Sequence, residues 1–239
     1  MTKKVLMRVY SVLLDSYGQQ GWWPLVSCKN AEGFDEKGYH PGLFPEFSFE
    51  QRFEIAVGAV LTQNTAWINV ERSLLGLEGF LTPEGILSLP GAELENRVRP
   101  SGYFRQKAKK LITLSRFFYE HTDRESQEAP ARDTLLSLWG VGPETADSIL
   151  LYAFSVPVFV IDAYTRRIFS RLGLVPATQS YEGLREGFES SLEPDYRLYQ
   201  EYHALIVRHA KEFCKALPIC SGCPLSATCK GRVAPITSE

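Results

Sequence analysis

Leu138-Trp139-Gly140-Val141-Gly142-Pro143-Glu144-Thr145-Ala146-Asp147 is the stretch on which the fold is read. A short apolar run (Leu135, Leu136, Leu138) enters a tight Gly-Val-Gly turn. Pro143 then stands at the first position of a second helix, where its missing N–H costs no hydrogen bond. Ala146, Ile149, Leu150 and Ala153 follow at helical spacing. Two glycines let the backbone approach a foreign group, and the new helix points unpaired N–H groups outward from the same spot, a geometry that suits a phosphate. A bare Gly-x-Gly is equally an ordinary corner between helices. Its meaning depends on its neighbours.

The first neighbour is Val158-Phe159-Val160-Ile161-Asp162-Ala163-Tyr164-Thr165-Arg166-Arg167, which puts an acid at the mouth of an amphipathic helix. Aspartate is a common helix N-cap, so a structural role is open alongside a chemical one. The second neighbour is Cys214-x5-Cys220-x2-Cys223-x5-Cys229. Four thiolates over one loop hold either a tetrahedral zinc or a 4Fe-4S cluster. One C-x2-C pair with wide arms, in place of the two pairs common in zinc sites, favours the cluster. With four of the five cysteines gathered there, the pattern indicates metal ligation in a reducing compartment and not a disulfide framework.

The chain of 239 residues has room for one large or two small domains, and 44% apolar with 23% charged residues is an ordinary globular balance. No apolar run reaches the length of a membrane span, and the first residues read as an amphipathic helix in place of a signal peptide, so a cytoplasmic protein is expected. The net charge of −2 gives no help to nucleic-acid binding. Basic residues do cluster, however, at Arg97, Arg99, Arg105, Lys107, Lys109 and Lys110, and again at Arg166, Arg167 and Arg171. Such a local face can bind phosphate on a near-neutral chain.

Helical periodicity predicts helices over 3–15, from Phe49 through Leu61, from Trp67 to about Leu77, and over 82–89, 92–97, 101–119, 163–172, 181–190 and 195–213. Ser48-Phe49-Glu50-Gln51 has the form of a capping box. The segment 17–45 reads as a long loop carrying Trp22-Trp23-Pro24 and a buried or half-buried Cys28. Only 156–161 has strand character, and Pro157 weighs against it. The fold class is all-α.

Hairpin, following aspartate and cysteine loop, in that order, resemble the endonuclease III superfamily of helix-hairpin-helix DNA glycosylases. The resemblance implies a six-helix barrel over 44–156 containing the hairpin. A second helical domain would then be built from 1–43 and 157–239, with the cysteine loop. It implies a 4Fe-4S cluster on Cys214, Cys220, Cys223 and Cys229, although the first interval is five residues where the family usually has six. Lys211, Lys215, Lys230 and Arg232 stand nearby as a basic loop against DNA. Asp162 matches the catalytic aspartate, whose carboxylate stabilises positive charge on the sugar in the transition state and orients or deprotonates the attacking water. Lyases of the superfamily carry a lysine two residues after the second hairpin glycine. Glu144 holds that place here, and a carboxylate cannot form an imine. The implied enzyme is therefore monofunctional; the spacing of Lys107 and Lys109 recommends neither as a substitute nucleophile.

Trp22-Trp23-Pro24, Leu61-Thr62-Gln63-Asn64-Thr65 and Val98-Arg99-Pro100-Ser101-Gly102-Tyr103-Phe104 look particularly like the 3-methyladenine DNA glycosylases of this superfamily. The likeness makes Trp22, Trp23, Pro24 and Trp67 walls for a flipped base. An indole face attracts a cationic methylpurine by about 1–2 kcal/mol when desolvated. It also makes Gln63 the side chain that fills the vacated stack, Tyr103 a wedge against the opposite strand, and Gly140, Gly142 and Arg166 contacts to DNA. The carbonyls of Leu136, Leu138 and Val141 would hold Na+ or K+. The expected partner is damaged double-stranded DNA, met by a nucleoid-associated monomer. The alternatives are a glycosylase for oxidised pyrimidines or mismatched bases, and a non-catalytic DNA-binding iron–sulfur module.

Overall fold

The computed structural model describes residues 1–121, 124–126 and 128–231; Arg232 lies outside them. Eleven α-helices account for the described chain: α1 Lys3–Tyr17, α2 Phe49–Leu61, α3 Trp67–Gly76, α4 Pro83–Ser88, α5 Gly91–Arg97, α6 Phe104–His121, α7 Arg132–Ser137, α8 Pro143–Ser148, α9 Ala163–Arg171, α10 Tyr181–Glu189 and α11 Tyr196–Glu212. α8 runs on into a wide π-helical turn, Ile149–Ala153. No strand occurs among the described residues. The 156–161 segment is fully unpaired as strand for a local reason. Pro157 removes one donor, and the N–H groups of Phe159 and Ile161 go to side chains, Glu189 at 2.9 Å and the Tyr181 hydroxyl at 3.4 Å.

The chain divides into two compact units, one of 23–156 and one of 1–22 with 157–239. The first boundary thus falls at Trp23 and not near 44. Residues 23–43 go with the middle of the chain because α2 holds them. Buried Glu54 accepts the N–H groups of Val26 (2.5 Å) and Ser27 (3.4 Å), and Gln51 Nε2 donates to Cys28 Sγ at 3.1 Å.

In the 23–156 unit, α2 is the central helix. Ser48 accepts the Gln51 N–H while Gln51 reaches back to Ser48, so the capping box forms. Every residue from Arg52 to Leu61 is buried, against α3, α6, α8 and the wide turn. α6 begins after a 3-10 turn at 99–101, three residues later than its periodicity suggests, because Gly102 and Tyr103 both take positive φ. α7 and α8 flank the Gly-Val-Gly turn. They are locked by Arg132, which places Nε at 2.6 Å and a terminal nitrogen at 3.0 Å from the two oxygens of Asp147, itself fully buried.

In the other unit, α11 packs against α1 and α9. An aromatic cluster fills its core: Phe159 stacks on Phe188 at 4.0 Å and meets Tyr199 and Tyr202 edge-on. Tyr202 donates its hydroxyl to the Leu6 carbonyl at 2.8 Å, which joins the start of the chain to α11.

Removing Arg132 takes the bidentate guanidinium from the fully buried Asp147 carboxylate, so Arg132→Met is expected to lower the unfolding free energy by about 3 kcal/mol in urea titrations. A loss under about 1 kcal/mol, the range of an exposed pair, would show that Asp147 does not depend on Arg132.

Candidate active site

Asp162 is the N-cap of α9. Its Oδ1 accepts both the Thr165 backbone N–H at 2.6 Å and the Thr165 hydroxyl at 2.8 Å. Its Oδ2 is turned toward His203 Nε2 on α11 at 3.7 Å, a contact longer than a hydrogen bond. One oxygen is therefore committed to the helix cap and the other faces His203. Burial by itself would raise the carboxyl's pKa; the neighbouring His203 ring and the two Thr165 donors more than offset this and hold it below the ordinary aspartate range. In the folded chain the group is thus ionised through neutral pH. Its stabilising contribution is present above the unfolded aspartate value and lost as pH falls through the folded one.

Trp22 is half-buried, and the Lys211 ammonium sits 5.7 Å from its ring centroid. Burial lowers the Lys211 pKa, and the charge of Asp162 partly restores it. The cation–π face of Trp22 is therefore already engaged by a side chain of the same unit. Nothing at sequence level singled out Lys211 for Trp22; it counted only as a basic residue near the cysteines.

The 23–156 unit carries the remaining residues of interest. Trp23 and Pro24 are buried. Trp23 lies edge-on to Trp67 (5.6 Å) and near Tyr152 (5.4 Å). A Cβ on Gly58 would come within 3.0 Å of its indole, so the glycine makes the room. Trp67 is half-buried and leans on Trp23, which acts as its support.

The hairpin is built around Gly140 at φ +86°, where a Cβ would lie 2.5 Å from the Lys110 side chain. Gly142 is the α8 N-cap with an ordinary φ of −97°, and a Cβ there would meet nothing within 4 Å. No contact or backbone angle within the described chain demands a glycine at 142. Neither glycine's N–H has a backbone partner among the described residues. Leu136, Leu138 and Val141 belong to the same unit; the Leu138 carbonyl already accepts the Val141 N–H at 3.1 Å.

Gln63 is folded onto this turn. Its Nε2 donates to the Gly140 carbonyl (3.1 Å) and to Thr145 Oγ1 (2.9 Å), while Lys110 Nζ donates to its Oε1 at 2.5 Å. Beside it opens a cleft of about 240 Å³ lined by Thr62, Gln63, Asn64, Glu144, Thr145 and Ser148. Tyr103 is 69% exposed. Trp139, next to Gly140, is also exposed.

Arg166 donates to the Gln179 carbonyl, an internal bond that sequence reading did not foresee. Its neighbours tie down the cysteine loop. Arg167 Nε donates to the Cys214 carbonyl (2.7 Å), and Arg171 reaches Cys214 Sγ (3.3 Å) and the carbonyls of Lys215 (2.6 Å) and Ala216 (2.8 Å).

Cys214, Cys220, Cys223 and Cys229 are free and line one cavity with apolar walls at Ile168, Phe213 and Leu225. Burial and then the charges of the other cysteines push the Cys223 and Cys229 thiols up. Four thiols gathered on one cavity are a donor set that a bound polycation would relieve of its mutual repulsion. Among the described residues no three His, Cys, Asp or Glu side chains close into a metal-binding group.

Comparison with known proteins follows the same lines. A family model described as HhH-GPD superfamily base excision DNA repair protein matches residues 57–194. A Methanocaldococcus jannaschii protein, provisionally named a DNA repair glycosylase, is 40% identical over 235 residues, 95% of this chain and 96% of the relative. A non-covalent endonuclease III–DNA complex shares the fold with a TM-score of 0.73 at 22% identity, over 97% of this chain and 96% of that one. H. pylori 3-methyladenine DNA glycosylase bound to 1,N6-ethenoadenine gives 0.64 at 28% identity, over 89% and 98%.

The two duties of Asp162 separate by substitution. Asp162→Ala removes the cap and is expected to cost about 1 kcal/mol in chemical denaturation, whereas Asp162→Asn, itself a good cap, is expected to stay within about 0.5 kcal/mol of the parent. Equal losses in both would show that the charge, and not the cap, holds α9.

Proposed function

Because this chain belongs to the HhH-GPD superfamily of base excision DNA repair proteins, we propose that it is a monofunctional DNA glycosylase that releases alkylated purines from damaged duplexes. The observation that carries this reading is Asp162, a largely buried carboxylate held ionised with one oxygen outside the helix cap, facing His203. As the glycosidic bond stretches, positive charge gathers on the deoxyribose, and a fixed carboxylate is worth more there than in the ground state. Water adds to C1′, the C1′–N bond breaks with its electron pair leaving on the base, and the water's proton passes to Asp162 Oδ2. N-alkylated purines leave readily, so no acid is needed on the base. Glu144 supports the hydrolytic outcome, since that position offers no amine to trap the sugar.

The remaining residues have assigned parts in the proposal. Trp22 and Trp67 are stacking partners for the flipped base, with Trp23 and Pro24 supporting from the core. The N–H groups of Gly140 and Gly142 take a phosphate, fixing register without reading sequence. Leu136, Leu138 and Val141 lend carbonyls to a monovalent cation there. Gln63 leaves its bonds to Gly140 and Thr145 to fill the vacated stack, and Tyr103 wedges the opposite strand. Arg166 serves through its bond to the Gln179 carbonyl. Cys214, Cys220, Cys223 and Cys229 would hold a 4Fe-4S cluster, which supplies a rigid structural anchor for the loop that Arg167 and Arg171 already brace. The likeness to a 3-methyladenine glycosylase at 28% identity supports the alkylpurine branch. The protein would act as a monomer in the cytoplasm on nucleoid DNA.

One observation favours a second reading, a glycosylase for oxidised pyrimidines or mismatched bases. Lys211 over Trp22 repels a permanently cationic base from that ring, and a neutral base meets no such opposition.

Chromatography of bases freed from methylated DNA and from oligonucleotides bearing oxidised or mismatched bases decides between them. Release of methylpurine is expected, falling about 10²–10³-fold or more in Asp162→Asn, as for loss of a transition-state electrostatic partner. No strand nicking and no borohydride-trapped adduct should accompany it. Release of oxidised pyrimidine alone would establish the second reading, and a trapped adduct would end the monofunctional claim.

A further inference from the structure

Lys107 is 2% exposed, among the most enclosed side chains of the protein. Its ammonium meets no carboxylate among the described residues. It donates instead to two backbone carbonyls, Leu61 at 2.8 Å and Ser101 at 2.6 Å. Burial, and then the nearby charge of Lys110, lower its pKa from the usual lysine value to about 8. A lysine in such a place is a poor way to build a core. A buried charge without a counter-charge costs stability, and methionine fills the same space without that cost. Its value must lie in what it holds.

The two carbonyls identify what that is. Leu61 is the last residue of α2 and one of its open carbonyls, directly ahead of Thr62-Gln63-Asn64-Thr65. Ser101 ends the 99–101 turn, directly ahead of Gly102-Tyr103. The backbone N–H of Lys107 also donates to the Tyr103 carbonyl at 3.0 Å. Both loops carry strained backbone: Asn64 sits at φ +55° and Tyr103 at φ +45°. A bulky residue such as tyrosine keeps a left-handed conformation only where its surroundings over-determine it. One ammonium group is thus fastened to the root of both loops that end in non-glycine residues of positive φ at the ends of α2 and α6.

We propose that Lys107 is a positioning residue for damage recognition, clamping the Gln63 loop and the Tyr103 loop at a fixed separation so that both engage one distorted duplex. The inference rests on the roles given above to Gln63 and Tyr103, and it makes their spacing a built quantity. It also assigns Lys107 away from nucleophilic chemistry, because its nitrogen is occupied by carbonyls inside the fold. Lys107→Met removes the clamp while keeping the volume.

The test compares wild type and Lys107→Met in thermal melting, in binding to a duplex with a tetrahydrofuran abasic analogue against the undamaged duplex, and in single-turnover base release. The variant should melt at or above the wild-type temperature. Its preference for the tetrahydrofuran duplex should fall about tenfold or more, the scale of loss expected when recognition groups are slightly misplaced. The enzyme concentration for half-maximal release should rise by a similar factor, while the maximal rate at saturation changes less than about threefold, since Asp162 is untouched. An unchanged preference overturns the proposal. So does a variant that fails to fold, because Lys107 would then be a stability group. Faster amide exchange confined to 62–65 and 102–104 supports it; uniform acceleration across α2 and α6 overturns it. A wild type that prefers the tetrahydrofuran duplex yet frees no methylpurine refutes the alkylpurine reading and leaves the binding arm of this test intact.

Discussion

A carboxylate with 12% of its side chain exposed is unfavourable in charged form unless something nearby compensates it, and Asp162 is compensated from two directions. Thr165 supplies two donors to one oxygen from the first turn of α9, and His203 faces the other from α11. The same contacts that begin a helix therefore fix the orientation and ionisation of the group. A cap and the proposed catalyst can therefore be one residue. The cap spends a single oxygen, and the remaining one is aimed by it. In the proposed enzyme, capping as a stability device and preorganisation as a catalytic device would be the same hydrogen bonds.

The 23–156 unit shows a comparable economy at its hairpin. Arg132 and Asp147 set α7 against α8 from inside, and Gly140 admits the Lys110 side chain where any Cβ would exclude it. Gln63 then joins Lys110 to the Gly140 carbonyl and Thr145, so the end of α2 and the Gly-Val-Gly turn form one hydrogen-bonded network. A group that drew Lys110 away would loosen Gln63 at the same time. Networks of this kind respond as units, and single substitutions within them are not additive.

Much of this was legible in the sequence because it is local. Helical spacing gave the helices to within a turn, Ser48 and Gln51 announced their capping box, and Asp162 at the mouth of the 163–172 helix announced its cap. What stayed hidden depends on partners far along the chain. Trp22-Trp23-Pro24 reads as one aromatic wall, yet Gly58 and Tyr152 bury Trp23 while Trp22 faces Lys211. The arginines of α9 read as a phosphate-binding run, but the carbonyls of Gln179, Cys214, Lys215 and Ala216 take them up. Carbonyl acceptors have no signature in a sequence, so a basic run bound to backbone looks the same as one bound to DNA. The two carbonyls that hold Lys107 inside the fold were hidden for the same reason, and His203 because it meets Asp162 from far along the chain. The first unit boundary also lies earlier than the resemblance implies, because Glu54 and Gln51 reach out from α2 to hold residues that look like linker.

The ionisation of Asp162 is the claim on which the chemistry turns, and carbon-13 carboxyl NMR of selectively labelled protein reads it directly. The carboxyl resonance should remain that of the ionised form from neutral pH down to about pH 5 and move only below the ordinary aspartate value of about 3.9. A carboxyl that is protonated at neutral pH would contradict the account, since a neutral acid beside the sugar could not stabilise the charge that develops there.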